Sequence, residues 1–182
     1  MLTTKEKVKE YLDITFSITK YDAVITTLIA NVSAWVEKFT GRKFDQTTIT
    51  EYFDGGDSEI FLSNFPVISI TSVKNNAGTQ QTPNWQSVSA EQYTGYFKEG
   101  RIKSNSFFPT GSRNIEVVYV SGYVTIPDDL ELLGKSLVAN LFNKRKAQGK
   151  SQERLGDALI AWNNELTQEQ KDILSSYRKP RI

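Results

Sequence analysis

The side chains that could do chemistry in this sequence are carboxylates and cations, because its 182 residues include no histidine and no cysteine. These absences exclude the commonest general base, thiolate catalysis, disulfide bonds and zinc sites built on cysteine. What remains is acid–base work by two carboxylates, calcium binding by oxygen ligands, or contact between cations and phosphate. The candidate sites are therefore clusters of acids and clusters of cations.

The acidic candidate surrounds two glycines and consists of Asp54, Asp57 and Glu59. It lacks the ligand spacing and the closing glutamate of an EF-hand, so the pattern predicts a polar turn rather than a calcium loop. A glycosidase needs only two carboxylates, and the chain has 21 acids,. No acid lies in an apolar stretch that would raise its pKa, so cell-wall hydrolysis ranks below the other hypotheses.

The basic candidate comes late in the chain and consists of Lys144, Arg145, Lys146 and Lys150, with Glu153 as the nearby acid. Such cations can contact DNA phosphates without reading sequence. They equally suit the C-terminal end of a helix, where the helix dipole favours positive charge. The net charge of the whole chain, +1, does not decide between the two interpretations,.

Helical periodicity marks both ends of the chain. Thr3 and Glu6 have capping-box spacing, which predicts a short first helix to about Asp13,. A second helix is predicted from Asp22 to Thr40, with Gly41 as its C-cap,. Its apolar stripe is Ile25, Leu28, Ile29, Val32, Trp35, Val36 and Phe39,.

A third helix is predicted to begin at Ile126-Pro127-Asp128-Asp129, where proline and acids suit the first turn,. Its apolar stripe is Leu130, Leu133, Leu137, Val138, Leu141 and Phe142,. A turn of helix is predicted over residues 158–162. Thr167 and Gln170 then open a final short helix,.

Two features of the helices have a structural and a functional interpretation. The aromatic residues Trp35, Phe39 and Phe142 could stack nucleic-acid bases, but their helical spacing predicts that they belong to the core,. Arg42, after the capping glycine, could bridge subunits or be a solvated cation at a helix end,.

Between the helices the hydrophobic period changes to two. Residues 47–53 and 59–62 are predicted to form a hairpin, and residues 67–73 another strand,. Residues 93–102 predict a strand pair that turns at Glu99-Gly100, and residues 115–120 a further strand,. The fold class is therefore α+β, with a helical bundle formed by residues 1–46 and 127–182 and an inserted antiparallel β subdomain at 47–126.

The order of several short strings resembles one family, the head-to-tail connector (adaptor or head-completion) proteins of tailed bacteriophages, in its longer form with a β insertion. The resemblance covers most of the chain. It rests on strings in the helical and β parts, namely Thr40-Gly41-Arg42-Lys43-Phe44, Phe65-Pro66-Val67-Ile68-Ser69-Ile70, Val118-Tyr119-Val120-Ser121-Gly122-Tyr123, Ile126-Pro127-Asp128-Asp129-Leu130 and Leu174-Ser175-Ser176-Tyr177-Arg178.

The resemblance implies a structural virion protein that forms a homo-oligomeric ring between the portal of the phage head and the tail or the next head-closure protein. Such a ring extends the DNA channel, touches passing DNA without sequence specificity and helps to retain packaged DNA. It implies no enzyme activity, cofactor or metal. Its place is the head–tail interface of the virion, and the bacterial host cytoplasm during assembly.

The C-terminal segment combines an amphipathic turn with cations, a profile typical of a segment that docks to the portal or a ring neighbour and gains order there. The residues predicted to dock are Ile173, Leu174, Tyr177, Arg178, Lys179, Arg181 and Ile182. A frayed terminus is the alternative.

Another class of function stays open. The β subdomain could be a recognition module of a tail or baseplate, with Tyr93, Tyr96 and Phe97 as a contact surface,. The charged start of the chain lacks the apolar region of a signal peptide, and no apolar run is long enough to span a bilayer,. No membrane partner is therefore expected.

The change of hydrophobic period at both ends of the insertion predicts that it folds semi-independently. Replacing residues 47–126 with a short Gly/Ser linker should leave a soluble protein whose circular dichroism is helical, because both apolar helix stripes lie outside the insertion,. Complete loss of the helical signal would show that the β part belongs to the same core.

Overall fold

The computed structural model describes residues 1–145, 152–155, 158–161 and 166–178. The chain divides into two compact units: a helical unit, Met1–Gly41 with Ile126–Ile182, and a β unit, Arg42–Thr125. The helices and antiparallel sheets of the described residues confirm the predicted α+β class.

The helical unit contains helices α1 (Lys5–Tyr11), α2 (Asp22–Thr40), α3 (Asp128–Lys144) and α4 (Gln168–Ser176). Helix α2 packs against α3, and both α1 and α4 contact these two. Their shared core consists of buried aliphatic and aromatic side chains, including Leu2, Val8, Ile25, Ile29, Val32, Val36, Leu130, Leu133, Val138, Phe142 and Leu174.

The ends of α2 and α4 confirm the predicted caps, whereas the predicted cap of α1 is one residue early. Gly41 ends α2 in the left-handed region, with φ 71°,. The capping box of Thr167 and Gln170 is present at α4,. At α1 the cap is Thr4, whose hydroxyl accepts a hydrogen bond from the Lys7 N–H at 3.4 Å. Thr3 is instead buried.

A buried lysine fixes the segment between α1 and α2. Lys9 is almost fully buried, and its Nζ donates to the carbonyl oxygens of Phe16 at 3.2 Å and Ile18 at 2.8 Å. The same Nζ forms an ion pair with Asp22 at 2.5 Å. A buried ammonium is tolerated only with such partners, so this one orders the chain around it.

The β unit contains strands β1 (Thr47–Gly55), β2 (Glu59–Phe61), β3 (Val67–Asn76), β4 (Trp85–Ser87), β5 (Tyr93–Tyr96), β6 (Arg101–Ser104) and β7 (Gly111–Ser121). They form an antiparallel four-stranded sheet in the order β1-β7-β3-β4 and an antiparallel three-stranded sheet in the order β2-β6-β5. Strands β8 (Gln152–Leu155) and β9 (Ala158–Ala161) pair separately.

The strands confirm one predicted pairing and one predicted strand, and they contradict two other predictions. The pairing of β5 with β6 and the strand over residues 115–120 are confirmed. The hairpin of residues 47–53 with 59–62 is wrong, because β1 pairs with β7 while β2 pairs with β6. The eleven residues of β7 can cover the nine of β1, whereas β2 has three. The helical turn predicted at 158–162 is also wrong, since short apolar runs do not distinguish strand from helix,.

Tyr119 of β7 lies at the centre of the β unit and is fully buried. Its hydroxyl donates to Glu51 Oε2 at 3.0 Å and accepts from the Asn64 N–H at 3.2 Å. Burial, together with the nearby Glu51 carboxylate, raises the pKa of Tyr119 to about 12. The hydroxyl therefore links β7 to β1 and to the segment that precedes β3.

Arg42 is a second buried polar anchor of the β unit, with 5% of its surface exposed. Its Nε donates to the Phe65 carbonyl oxygen at 3.1 Å, and its Nη2 donates to the same oxygen. The guanidinium carbon lies 3.9 Å from the ring centroid of Phe65 and 5.9 Å from that of Phe44. The interpretation of Arg42 as a solvated cation is therefore wrong, and a bridge between subunits stays a prediction.

The Tyr119 hydroxyl predicts a measurable contribution to stability. Tyr119→Phe should lower the free energy of unfolding by about 1–2 kcal/mol at neutral pH, because Glu51 and the Asn64 N–H lose a buried partner,. Tyr96→Phe, at an exposed tyrosine of the same unit, should change it little. Chemical denaturation of the two variants measures the difference.

The same substitution should alter the response to alkali. Because the pKa is raised in the folded state, the unfolded chain loses this proton first, so the stabilisation is full below pH 10.0 and is lost as the pH rises towards 12,. Over that interval the wild type should lose stability more steeply than Tyr119→Phe. Equal slopes would contradict the assignment.

Candidate assembly surfaces

Two aromatic residues of α2 lie on the surface of the helical unit. Trp35 is 41% exposed and Phe39 is 39% exposed, and their ring centroids are 5.7 Å apart. Each precedes a buried residue, Val36 or Thr40, by about 100° of rotation, so both lie towards one edge of the buried stripe,. The prediction that both belong to the core is therefore wrong.

The third aromatic residue of that prediction does belong to the core. Phe142 is buried and meets the ring of Tyr21 edge-on, with centroids 5.3 Å apart.

The apolar arc of α2 is wider than the surface that its neighbours in the helical unit cover, because Trp35 and Phe39 stay exposed. Val24, also exposed, lies on the same side of α2 as Trp35 and Phe39,.

The basic group at the end of α3 is only partly described. Lys144 closes the helix and Arg145 follows it, both half-buried, while Lys146 and Lys150 lie outside the described residues. The Arg145 guanidinium carbon is 3.5 Å from the ring centroid of Phe142 and 5.1 Å from that of Tyr21. Arg145 also donates to the Phe142 carbonyl oxygen. It is therefore held by the core aromatic residues as well as being a surface cation.

The C-terminal docking group contains one residue that serves the unit itself. Leu174 is fully buried, and α4 packs against α2 and α3. The Tyr177 hydroxyl donates to Asp129 Oδ1 at 2.7 Å, and the Arg178 guanidinium lies 5.9 Å from the Phe39 ring centroid. Ile173 is half-buried, and Lys179, Arg181 and Ile182 lie outside the described residues. Docking by this group stays a prediction.

Tyr52, Trp85 and Arg113 form a cluster in the β unit that the sequence does not predict, because the three residues are far apart in the chain. The rings of Tyr52 and Trp85 are 5.8 Å apart, and the Arg113 guanidinium lies 5.6 Å from the Tyr52 centroid. Together with Gln80 and Pro83 they line a surface cavity of about 300 Å³. Neither residue type nor spacing marks them in the sequence, since only the pairing of β1 with β7 brings Tyr52 near Arg113.

Arg113 adopts the left-handed conformation, with φ 48°. Its N–H donates to Asp54 Oδ1 at 2.6 Å, and the Ser112 hydroxyl donates to the same oxygen at 3.0 Å. These hydrogen bonds lower the pKa of Asp54. The unusual backbone conformation of Arg113 is thus held by the Asp54 carboxylate,.

Two of the acids around the glycines, Asp54 and Glu59, have surroundings that lower the pKa of the carboxyl group. Lys103 and Arg101 lie 3.3 Å and 3.0 Å from Glu59 Oε1 and lower the pKa of that carboxyl. A general acid needs a raised pKa. In the described part of the chain, no group of three or more acids could hold a metal ion, and no helix is long and apolar enough to cross a membrane.

Known proteins share this architecture. The fold matches the neck of an empty gene transfer agent (GTA) particle computed with C6 symmetry, with TM-score 0.66, 16% identity, and 97% of this chain and 89% of that chain covered. It also matches the neck of a native GTA particle computed with C12 symmetry, with TM-score 0.62 and 17% identity. That match covers 97% of this chain and 88% of the other chain.

A third match is the virion of a native gene transfer agent particle, with TM-score 0.61, 18% identity, and 96% of this chain and 90% of that chain covered. No curated protein matches the chain. The model of one family, described as head completion protein, matches residues 1–180. Because that match spans nearly the whole sequence, both units included, the chain belongs to the head completion protein family.

Proposed function

We propose that this protein is a structural connector of a phage-like particle, which forms a ring between the portal of the head and the tail or the next head-closure protein. Membership of the head completion protein family supports the role. The matched neck structures, computed with C6 and C12 symmetry, support a ring. The ring extends the DNA channel and helps to retain packaged DNA.

The observation that carries the proposal is the exposed apolar side of α2. Val24, Trp35 and Phe39 are large apolar residues that the helical unit leaves in solvent. Tryptophan and other aromatic residues are enriched at the centres of protein interfaces, and contiguous apolar surface marks contact sites. In a ring, each copy presents this side to a different surface of the next copy, a heterologous contact that closes by rotation.

The basic group supplies the contact with DNA. Lys144 and Arg145 end α3, and Lys146 and Lys150 follow within six residues of Lys144 in the sequence. Cations that are grouped in the sequence can neutralise phosphates without regard to base sequence, as a conduit requires. Because Arg145 rests on the Phe142 and Tyr21 rings, the three lysines are the better candidates for phosphate contact.

The C-terminal group supplies the attachment to the portal. Leu174 holds α4 in the helical unit, so the docking contacts fall to residues from Tyr177 onward. These include four residues that follow Arg178, namely Lys179, Pro180, Arg181 and Ile182, two of them cationic. An apolar isoleucine beside cations suits a partner with an apolar pocket and acidic rim.

These roles need no enzyme chemistry, since each depends on buried interface area and on charge. A second role, recognition of another protein by the β unit, is favoured by the Tyr52, Trp85 and Arg113 cluster. Tyrosine, tryptophan and arginine are the residue types that dominate binding energy at interfaces. In a connector this surface would be a platform for the next protein of the neck.

The exposed side of α2 gives the first test of the proposed ring. Trp35→Lys combined with Phe39→Glu should abolish incorporation of the protein on portal-bearing heads, because two large apolar side chains are replaced by charges that are costly to bury at an interface even where they pair with each other. Co-sedimentation with heads measures incorporation, and circular dichroism checks the fold. Leu132→Glu, at an exposed leucine of α3, is the control and should be incorporated normally. Normal incorporation of the double variant would contradict the ring contact.

The basic group gives the second test. Reversing Lys144, Lys146 and Lys150 to glutamate should leave assembly intact but reduce the fraction of particles that keep their DNA, because phosphate repulsion replaces attraction. Protection of packaged DNA from nuclease measures retention. Arg145→Glu is tested separately, since it also removes the stacking on Phe142 and should lower the stability of the isolated protein. Unchanged DNA retention in the triple variant would contradict the phosphate contact and leave only the interaction of the lysines with the helix dipole.

A further inference from the structure

Strand β1 is an open edge of the four-stranded sheet. It is nine residues long and lies at one end of the strand order β1-β7-β3-β4. In the part of the chain that the structure describes, β7 is its only strand partner. The N–H and C=O groups on its other side are therefore available to another strand.

Natural proteins usually protect such an edge with lysine, proline, a bulge or a short strand, but β1 has few of these devices. Its sequence, Thr-Thr-Ile-Thr-Glu-Tyr-Phe-Asp-Gly, contains no lysine, arginine or proline. The irregularity in its pairing is confined to the far end, between Phe53 and Gly55. Residues 47–53 thus form a regular, β-branched and aromatic edge.

The inner face of β1 is incompletely covered. Ile49 and Phe53 pack against the core of the β unit but are only partly buried. Between them Glu51 is fixed, because the Ser63 N–H donates to its Oε2 at 3.0 Å and the Tyr119 hydroxyl donates to the same atom at 3.0 Å. One more strand beside β1 would bury Ile49 and Phe53 further without moving Glu51.

We propose that β1 accepts an extended segment of a different neck protein as an added strand. The inference rests on the proposed connector function, which requires contact with proteins above and below. Backbone hydrogen bonds along residues 47–53 supply affinity, and side chains at alternate positions supply specificity. The added strand carries apolar residues where it meets Ile49 and Phe53.

Length argues against a second copy of this chain as the occupant. The other edge strands in the described residues, β2, β4, β5, β8 and β9, have three or four residues each and cannot cover β1. Only β1 itself matches in length. Pairing of two β1 strands is a two-fold contact, which does not propagate around a ring.

The negative charge of β1 also argues against a second copy of this chain and indicates a partner segment that carries a cation. Strand β1 carries Glu51 and Asp54 without a cation, and Asp57 follows in the next turn. Two β1 strands side by side would place like charges together, which is destabilising. The partner segment instead carries a lysine or arginine at the end that lies beside residues 54–57.

The absence of native cysteine allows a direct test. Thr50→Cys, on the exposed face of β1, is labelled with benzophenone maleimide, assembled into particles and irradiated. The cross-linked peptide is identified by mass spectrometry. The expected product is one segment of another neck protein, with alternating apolar residues and a flanking cation. Thr48→Cys is the second labelling site, and Thr94→Cys, an exposed threonine of β5, is the control that should not capture the same segment.

A second experiment tests whether lysines added to β1 prevent binding of the partner strand. The label is moved to Gln46→Cys, an exposed position directly before β1. Adding Thr48→Lys and Thr50→Lys to this labelled protein should reduce the yield of the cross-linked segment at least tenfold, because edge lysines oppose strand addition. Adding Thr94→Lys instead should leave the yield unchanged.

Two outcomes would overturn the proposal. One is capture of a second copy of this chain, and the other is no capture from Thr48→Cys or Thr50→Cys in particles that contain the protein. Failure of the unmodified protein to enter particles would instead contradict the connector function.

Discussion

The pairing of the chain that enters the β unit with the chain that leaves it is the constraint on which the rest of the structure depends. Thr47 lies opposite Ser121, the Tyr123 N–H donates to the Phe44 carbonyl oxygen at 2.9 Å, and the rings of Phe44 and Tyr123 stack with centroids 6.3 Å apart. Because the unit begins and ends at one place, α2 and α3 can belong to one helical core although the β unit separates them in sequence.

The helices could be predicted from the sequence because their information is local. Apolar spacing, Gly41 and the Thr167 capping box each act within a few residues. How much of each apolar arc becomes buried could not be predicted, since Trp35 and Phe39 fit the same period as Val36 but lie beyond the reach of the neighbouring helices. This surplus apolar surface is the basis of the proposed ring contact, and in the sequence it has the same period as the core positions,.

The pairing of strands that are far apart in the chain, in contrast, could not be predicted from local sequence. Their existence follows from local composition, but their partners are set by length and register across the unit, so the sequence favoured β2 as the neighbour of β1 when it is β7. The same long-range pairing creates the Tyr52, Trp85 and Arg113 cluster and the burial of Arg42. Several charged groups, such as Lys9, Arg42 and Asp54, fix loops and turns, whereas others, such as Glu59 with Lys103, join neighbouring strands.

The adjacent ends of the β unit also determine its response to mechanical load. Tension applied through the chain at Phe44 and Tyr123 acts across the β1–β7 pair from one end, so the backbone hydrogen bonds would break one after another, like a zipper. Load applied along β1 by a strand at its open edge would instead act on many hydrogen bonds in parallel. The strand pairing therefore predicts that the β unit is weaker against forces that separate its two ends than against forces directed along its edge.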